Sequence, residues 1–270
     1  MKNINDNKDD HRAHEQTIPF GDWAFDLSFD DTKRHAWMIN LAQPLFEILH
    51  PNSILTLGDD RGREAYFISK FSEAEITASD IGTTKLKIAA DLGFIGNYCE
   101  SDIESLNFPE SAFDVTYVKE SLHHLPRPLI GLYEMLRVSA KGLILIEPND
   151  AQHKYSTYPT EGSYYDNFEE TKNYLYRFSL REILKIATAL HLRYVLTRGF
   201  NDPWREDFKF DEWVIERESL DSLGRENIRQ FDLMATLVIT DPGIVITPEE
   251  RKRLEAAHYL IYDLPQLSER

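Results

Sequence analysis

Five short clusters in the sequence bring carboxylates, glycines and histidines together at spacings that suit a ligand site. They are Gly58-Asp59-Asp60-Arg61-Gly62, Asp80-Ile81, Asp102-Ile103-Glu104, Lys119-Glu120-Ser121-Leu122-His123-His124, and Glu147-Pro148-Asn149-Asp150. All five carry acids. A glycine turn opening a helix ordinarily cradles phosphate with bare backbone N–H groups, where anions are attracted. Asp59 and Asp60 oppose that use, and no lysine follows the turn as a phosphate-gripping P-loop requires. Carboxylates instead accept hydrogen bonds from hydroxyl groups, such as a ribose diol, and attract cations. The histidines add a group able to take up or release a proton near neutral pH.

The segments around these clusters alternate. Short apolar runs at 53–57, 75–79, 97–100, 112–118 and 142–146 read as strands, with helical patterns at 62–71, 84–92 and 128–138 between them. Such alternation predicts βαβ units and a mostly parallel sheet covered on both faces. Right-handed crossovers make it a doubly wound α/β fold. Each cluster then falls just after a strand, where ligands gather in open α/β sheets. Upstream, a helical pattern covers 31–49, ended by Pro51 and Asn52. Downstream come a helix at 179–190 with a Ser179/Glu182 capping box, strands at 193–198 and 231–240, and a terminal helix at 248–262. The two late strands suit an antiparallel edge hairpin, making seven strands in all.

The expected organisation is a polar tail over 1–17 followed by one domain over 18–270, interrupted near 150–178 and 201–229. The first interruption is rich in tyrosine, from Tyr155 to Tyr176. Long excursions of this kind serve as lids or binding loops. The chain of 270 residues is 42% hydrophobic and 12% aromatic, ample for a sizeable core. Its net charge of −16 argues against a nucleic-acid surface and against anionic membranes. Cys99 is the only cysteine, which excludes an intrachain disulfide and a cysteine zinc site. No spacing compels any other metal. With no apolar run of about eighteen residues and no apolar leader, the reading is a soluble, cytoplasmic protein. Oligomeric state leaves no signal in the sequence.

A ligand that suits so many acids is a nucleoside without a phosphate chain and with a cationic centre, such as a sulfonium bearing an α-amino group. The motifs that carry this reading, above all FDVTYVKESLHHLPRPLIGLYEMLRVSAKGLILIEPND, resemble the class I S-adenosylmethionine-dependent methyltransferases. Within that class the chain is similar to the small-molecule, ubiquinone-biosynthesis-like (methyltransferase type 11) group, over about 53–150. The resemblance implies a Rossmann-like sheet and S-adenosylmethionine as cofactor. Gly58 and Gly62 match the outer glycines of the family's Gly-x-Gly-x-Gly turn. Asp60 replaces the middle glycine, and Thr56 stands where an acid is common. Asp80 matches the ribose-binding acid, with Ile81 against the adenine. Asp102 matches the acceptor for the adenine amino group, beside Ile103. Lys119 and Glu120 match positions lining the methionine end. The Asp60 carboxylate is then expected to bind the cofactor's ammonium, and Asp59 lies beside it in the cofactor turn.

The same residues have plainer uses. Asp59 or Asp60 can cap the helix opening near Gly62, Asp80 and Asp102 can be turn residues, and the histidines can pack beneath a helix. For catalysis the candidate general base is His123, with Glu120 second. His124, Glu147, Asn149, Tyr164, Tyr165 and Arg177 are the candidate substrate contacts. The expected reaction is methyl transfer to a hydroxyl or amine of a small molecule, a sugar or sugar-linked intermediate being the first choice. The altered glycine turn also suits a protein that binds the cofactor without turnover. A nicotinamide oxidoreductase is disfavoured, because Gly-x-Gly-x-x-Gly and a Tyr-x-x-x-Lys pair are both missing.

Overall fold

The computed structural model describes residues 19–150, 176–201, 231 and 233–265. Its centre is an eight-stranded sheet in the order β3-β2-β1-β4-β5-β7-β6-β8. The strands are β1 (Ser53–Leu57), β2 (Glu75–Asp80), β3 (Asn97–Glu100), β4 (Phe113–Lys119), β5 (Ser139–Pro148), β6 (Tyr194–Phe200), β7 (Leu233–Ile239) and β8 (Leu260–Asp263). The first five pair in parallel, and β7, β6 and β8 add antiparallel pairings beyond β5. Strand order reverses between β1 and β4, so their carboxyl ends flank the natural crevice.

The helices are α1 (Asp30–Leu41), α2 (Gln43–Leu49), α3 (Arg63–Ile68), α4 (Thr84–Asp91), α5 (Pro128–Val138), α6 (Leu180–Ala189) and α7 (Pro248–Ala256). Alternate residues of the central strands feed two cores. Ile54, Val115, Tyr117, Ile144 and Ile146 pack with α1 and α2 on one face. Leu55, Leu57, Val118, Leu143 and Leu145 pack with α5 and α6 on the other. Burial on both faces explains why β1, β4 and β5 read as nearly continuous apolar runs.

Two elements differ from the expectation. The helix expected over 31–49 is two helices, because Pro44 lies in the first turn of α2 and cannot continue the α1 hydrogen-bond ladder. The terminal helix expected to reach 262 stops at Ala256. His258 adopts φ 65°, and the chain then runs back as β8 against β6. The sheet therefore gains an eighth strand, and β8 rather than the late hairpin forms the edge. Tyr259 is buried in this reversal, its hydroxyl donating to the Leu41 carbonyl at 2.6 Å. Most of the two excursions, including Tyr164 and Tyr165, lies outside the described residues. Among the described residues no helix is long and apolar enough to cross a membrane.

The capping box of α6 is formed as the sequence implies. Ser179 Oγ accepts from the Glu182 N–H, and the Glu182 carboxylate accepts from the Ser179 N–H at 2.9 Å. Replacing Ser179 with alanine orphans one helix donor and should cost about 1 kcal/mol, read as a lower midpoint in urea unfolding at unchanged slope.

Candidate active site

The turn between β1 and α3 places three residues at positive φ within five positions: Gly58 at 64°, Asp60 at 32° and Gly62 at 81°. Gly58 is required twice over. A Cβ there would meet Ser121 Cβ and Oγ at 2.5 Å, and Ser121 Oγ donates to the Gly58 carbonyl at 3.0 Å. The turn and the loop after β4 are thereby locked together.

Asp59 is almost wholly buried and faces inward. Its carboxyl accepts from Thr56 Oγ1 at 2.7 Å and from the backbone N–H groups of Glu64 and Ala65, each at 2.9 Å. It satisfies two of the N–H groups that open α3, whose N-cap position is Gly62, so the helix-end reading is the plainer of its two. Thr56, standing where an acid is common, thus donates to an acid three residues on. Burial, and then the Glu64 carboxylate beside it, push the Asp59 carboxyl well above its ordinary range. Burial opposes charge on Glu64 too. The Lys119 ammonium, the hydrogen bond from Asp59 and Arg63 outweigh it and hold Glu64 down at about 2. Asp59 is the neutral partner of the pair and Glu64 the ionised one.

Asp60 differs from its expected use. Its carboxylate bridges Lys85 Nζ, at 2.5 Å, and the Arg61 guanidinium. Two cations already neutralise it, so the ammonium role expected of this side chain has no free charge to draw on. Its backbone N–H does serve the site, donating to Asp80 Oδ2 at 2.8 Å. Asp80 ends β2 buried, with Ile81 half-buried beside it. At the end of β3, Asp102 accepts from the Glu104 N–H at 3.0 Å in a tight turn. Ile103 packs into the second core, and Ser101 Oγ is buried with no hydrogen-bond partner.

Beyond β4 the rim divides into two clusters. On the α1 face, Lys119 Nζ lies 3.4 Å from Glu64 Oε1 and 3.0 Å from Glu120 Oε2. Glu120 has φ 49°. Burial opposes its charge, but Lys119 and then His35 hold its carboxyl far below the usual range. Helix α1 adds Asp31, Arg34 and His35, spaced to share one helical face. Asp31 meets Arg34 at 3.2 Å and Arg63 at 3.4 Å.

On the other side, Glu147 is fully buried at the end of β5. Its carboxylate accepts from the Ser121 N–H at 3.0 Å and the Leu122 N–H at 2.8 Å, and meets His123 Nδ1 at 2.6 Å. Expected as a substrate contact, Glu147 has no exposed surface to offer one. The loop after β4 folds over it, and its oxygens orient His123. The His124 ring packs on His123 with centroids 4.0 Å apart. Asn149, also expected to meet substrate, is buried and donates from Nδ2 to the Phe231 carbonyl at 2.9 Å. Arg177 is half-buried beside Phe178, while Tyr164 and Tyr165 lie outside the described residues. Asp150 N–H donates to the Phe178 carbonyl, and Tyr176 N–H to the His123 carbonyl. The feet of both excursions are therefore tied to this rim. Among the described residues, no three histidine, cysteine, aspartate or glutamate side chains are grouped to hold a metal ion.

Sequence reasoning missed Glu64, Lys85, Arg61, Arg63 and the Asp31/Arg34/His35 face. The i, i+3, i+4 spacing of the last three was the available signal.

Residues 55–146 match the family model described as a methyltransferase domain. The fold agrees with solved structures. A putative sarcosine dimethylglycine methyltransferase from Galdieria sulphuraria aligns at TM-score 0.54 and 14% identity, covering 89% of this chain and 99% of that one. YcgJ from Bacillus subtilis aligns at 0.51 and 16%, covering 77% and 99%. The plantazolicin methyltransferase BpumL, in complex with S-adenosylhomocysteine, aligns at 0.50 and 18%, covering 88% and 99%. No curated protein matches the chain. Residues 55–146 thus carry the likeness to a methyltransferase domain, and the solved structures share the fold.

The α1 cluster makes a testable contribution to stability. Burial, then the Lys119 charge, push the His35 imidazole down to about 3, and Asp31, Arg34, Arg63 and Glu120 also face it. Below pH 6.5 the unfolded chain takes up a proton that folded His35 refuses. Stability is thus complete above that pH and declines as pH falls, at up to about 1.4 kcal/mol per unit. Glu64, Asp31 and Glu120 begin to add their own losses only below about pH 4.5. Urea titrations at pH 7 and pH 5 should show this decline in the wild type and a flatter profile in His35→Gln.

Proposed function

We propose that the protein moves a methyl group from S-adenosylmethionine to a hydroxyl or amine of a small molecule, with His123 as general base. The carrying observation is the buried Glu147–His123 pair next to the glycine turn. When bound, S-adenosylmethionine supplies a methyl carbon on a positively charged sulfur, open to in-line displacement. Residues at the strand ends suit the nucleoside: Asp80 for the ribose hydroxyls, Asp102 and Ile103 for the adenine, Ile81 beside it. The orphaned Ser101 hydroxyl at the same rim supports the fit, since a buried unpaired hydroxyl favours a ligand partner.

Glu147 accepts a hydrogen bond from the His123 Nδ1–H, fixing the tautomer whose Nε2 would take the proton of the methyl acceptor. The carboxylate also steadies the imidazolium that results, as an orienting acid does in other histidine-based sites. Glu120, the second candidate base, is a poor one, because the charges that hold its carboxyl low also weaken its pull on a proton. The two excursions, with Tyr164, Tyr165 and Arg177, are the natural place for acceptor recognition, since their feet meet the His123 loop. Turnover is favoured over binding alone because a carboxylate-oriented histidine has no need to exist in a passive cofactor store.

Calorimetry with S-adenosylmethionine should show binding that Asp80→Ala weakens by about 1–3 kcal/mol, the cost of unpaired polar groups. An undiminished affinity would remove Asp80 from the ribose site. With an acceptor identified by product mass, His123→Asn should slow transfer about 10²–10⁴-fold while leaving cofactor affinity nearly intact. A rate close to that of the wild type would exclude His123 as base.

A further inference from the structure

Helix α1 has a second face besides the charged one at the crevice. Lys33 and Trp37, at i and i+4, share a side of the helix turned away from Asp31, Arg34 and His35. Together with Tyr66 of α3 and Lys70 in the turn after it, they line an open groove of about 620 Å³. Phe25 and Leu27, just before α1, complete its apolar part. The rings are braced by their neighbours. Phe25 stacks on Phe94 with centroids 4.1 Å apart and meets Tyr66 edge-on at 5.1 Å, while Trp37 meets Phe200 edge-on at 5.5 Å. Leu27 is 52% exposed. A groove of this size with an apolar lining and a few polar groups suits a small ligand.

The charge of the groove runs against that of the chain. The sequence has 46 acids against 30 lysines and arginines, yet among the described residues two lysines line the groove and no acid does. Lys33 is shared with Asp30 at 3.6 Å. The Lys70 ammonium lies over the Tyr66 ring, 3.8 Å from its centroid, and forms no ion pair among the described residues. A ring face attracts a cation but does not neutralise it, so this charge can still take an anion.

We propose that the groove between α1 and α3 binds a small aromatic carboxylate, its ring among Phe25, Leu27, Trp37 and Tyr66 and its carboxylate on Lys70. The ring supplies the stacked or edge-on contacts that aromatic side chains favour, and the carboxylate accepts charge-assisted hydrogen bonds from the ammonium. An aromatic cation would be repelled by two lysines, and a neutral aromatic would leave the Lys70 charge unused. The site is separate from the crevice, since no residue of the five strand-end clusters lines it.

The test is calorimetry on the full chain with three probes of one shape: 2-naphthoate, 2-naphthamide and 2-naphthylmethylammonium. The wild type should bind one equivalent of 2-naphthoate with Kd below about 1 mM, and prefer it about 10-fold over the amide and more over the cation. Lys70→Gln should weaken 2-naphthoate about 10-fold and leave the amide within about two-fold. Leu27→Glu, at an exposed position, brings an acid into the groove and should abolish 2-naphthoate binding in a protein that melts like the wild type. Absence of 2-naphthoate binding, equal affinity for the three probes, or unchanged affinity in both variants overturns the proposal. Displacement of 2-naphthoate by S-adenosylhomocysteine places it in the crevice and overturns the proposal as well. So does a dimer in sedimentation that Leu27→Glu dissolves, because the groove then belongs to a second copy of the chain.

Discussion

The Asp59 carboxyl is where the site and the fold meet. It closes the turn onto the start of α3 by accepting from two backbone N–H groups and from Thr56. Taking a carboxyl wholly out of water is costly unless its partners are complete or its charge is given up. Here both hold, because Asp59 is surrounded by donors and is the neutral member of a pair with Glu64. The charge then resides on Glu64, passes to Lys119 at 3.4 Å and on to Glu120 at 3.0 Å. A buried acid in the turn is thus linked through Glu64 and Lys119 to Glu120 at the end of β4. It does so without placing a formal charge inside the turn itself.

Glu147 organises the other side in the same manner. A fully buried carboxylate at the end of β5 gathers two backbone N–H groups and the imidazole of His123. The loop after β4 therefore has little freedom, and it also carries Ser121, which locks Gly58. Both clusters depend on strand ends that meet only because β4 and β5 pair in parallel beside β1. The excursions begin from this rigid rim. Loops whose feet are fixed by a scaffold can vary in acceptor recognition while the chemistry stays in register.

Much of this was legible in the sequence. Alternating apolar runs and helical patterns revealed the parallel sheet, and the family resemblance placed Asp80, Asp102 and the glycines at its rim. What escaped were pairings made across long sequence separations. Glu147 reads as a polar residue leaving a strand, and only the loop covering it, more than twenty residues upstream, turns it inward. Asp60 reads as a free acid because its partner Lys85 lies one βα unit further on. Strand β8 was masked by a helical pattern that His258 interrupts with a left-handed backbone, a conformation for which histidine gives only a weak signal. Helix α1 looked like a covering helix because its apolar residues are conspicuous and its polar face is short.

The two acids in the glycine turn pose a charge problem, and the structure resolves it by separate means. Asp59 is made neutral by burial and by Glu64, and Asp60 is neutralised by Lys85 and Arg61. Neither offers a free anion to the crevice. The anionic charge nearest the turn therefore lies outside it, on Glu64 and Glu120, which Lys119 bridges at 3.4 Å and 3.0 Å. Glu120 is kept ionised near neutrality by the Lys119 ammonium, so that charge does not vary with modest changes in pH. Across the rim, His123 is held separately by Glu147. Dividing the work this way lets one carboxylate remain a permanent anion while another, Glu147, remains permanently dry. The two buried carboxylate clusters thus stay separate, Glu64 and Glu120 on Lys119 and Glu147 on the loop after β4.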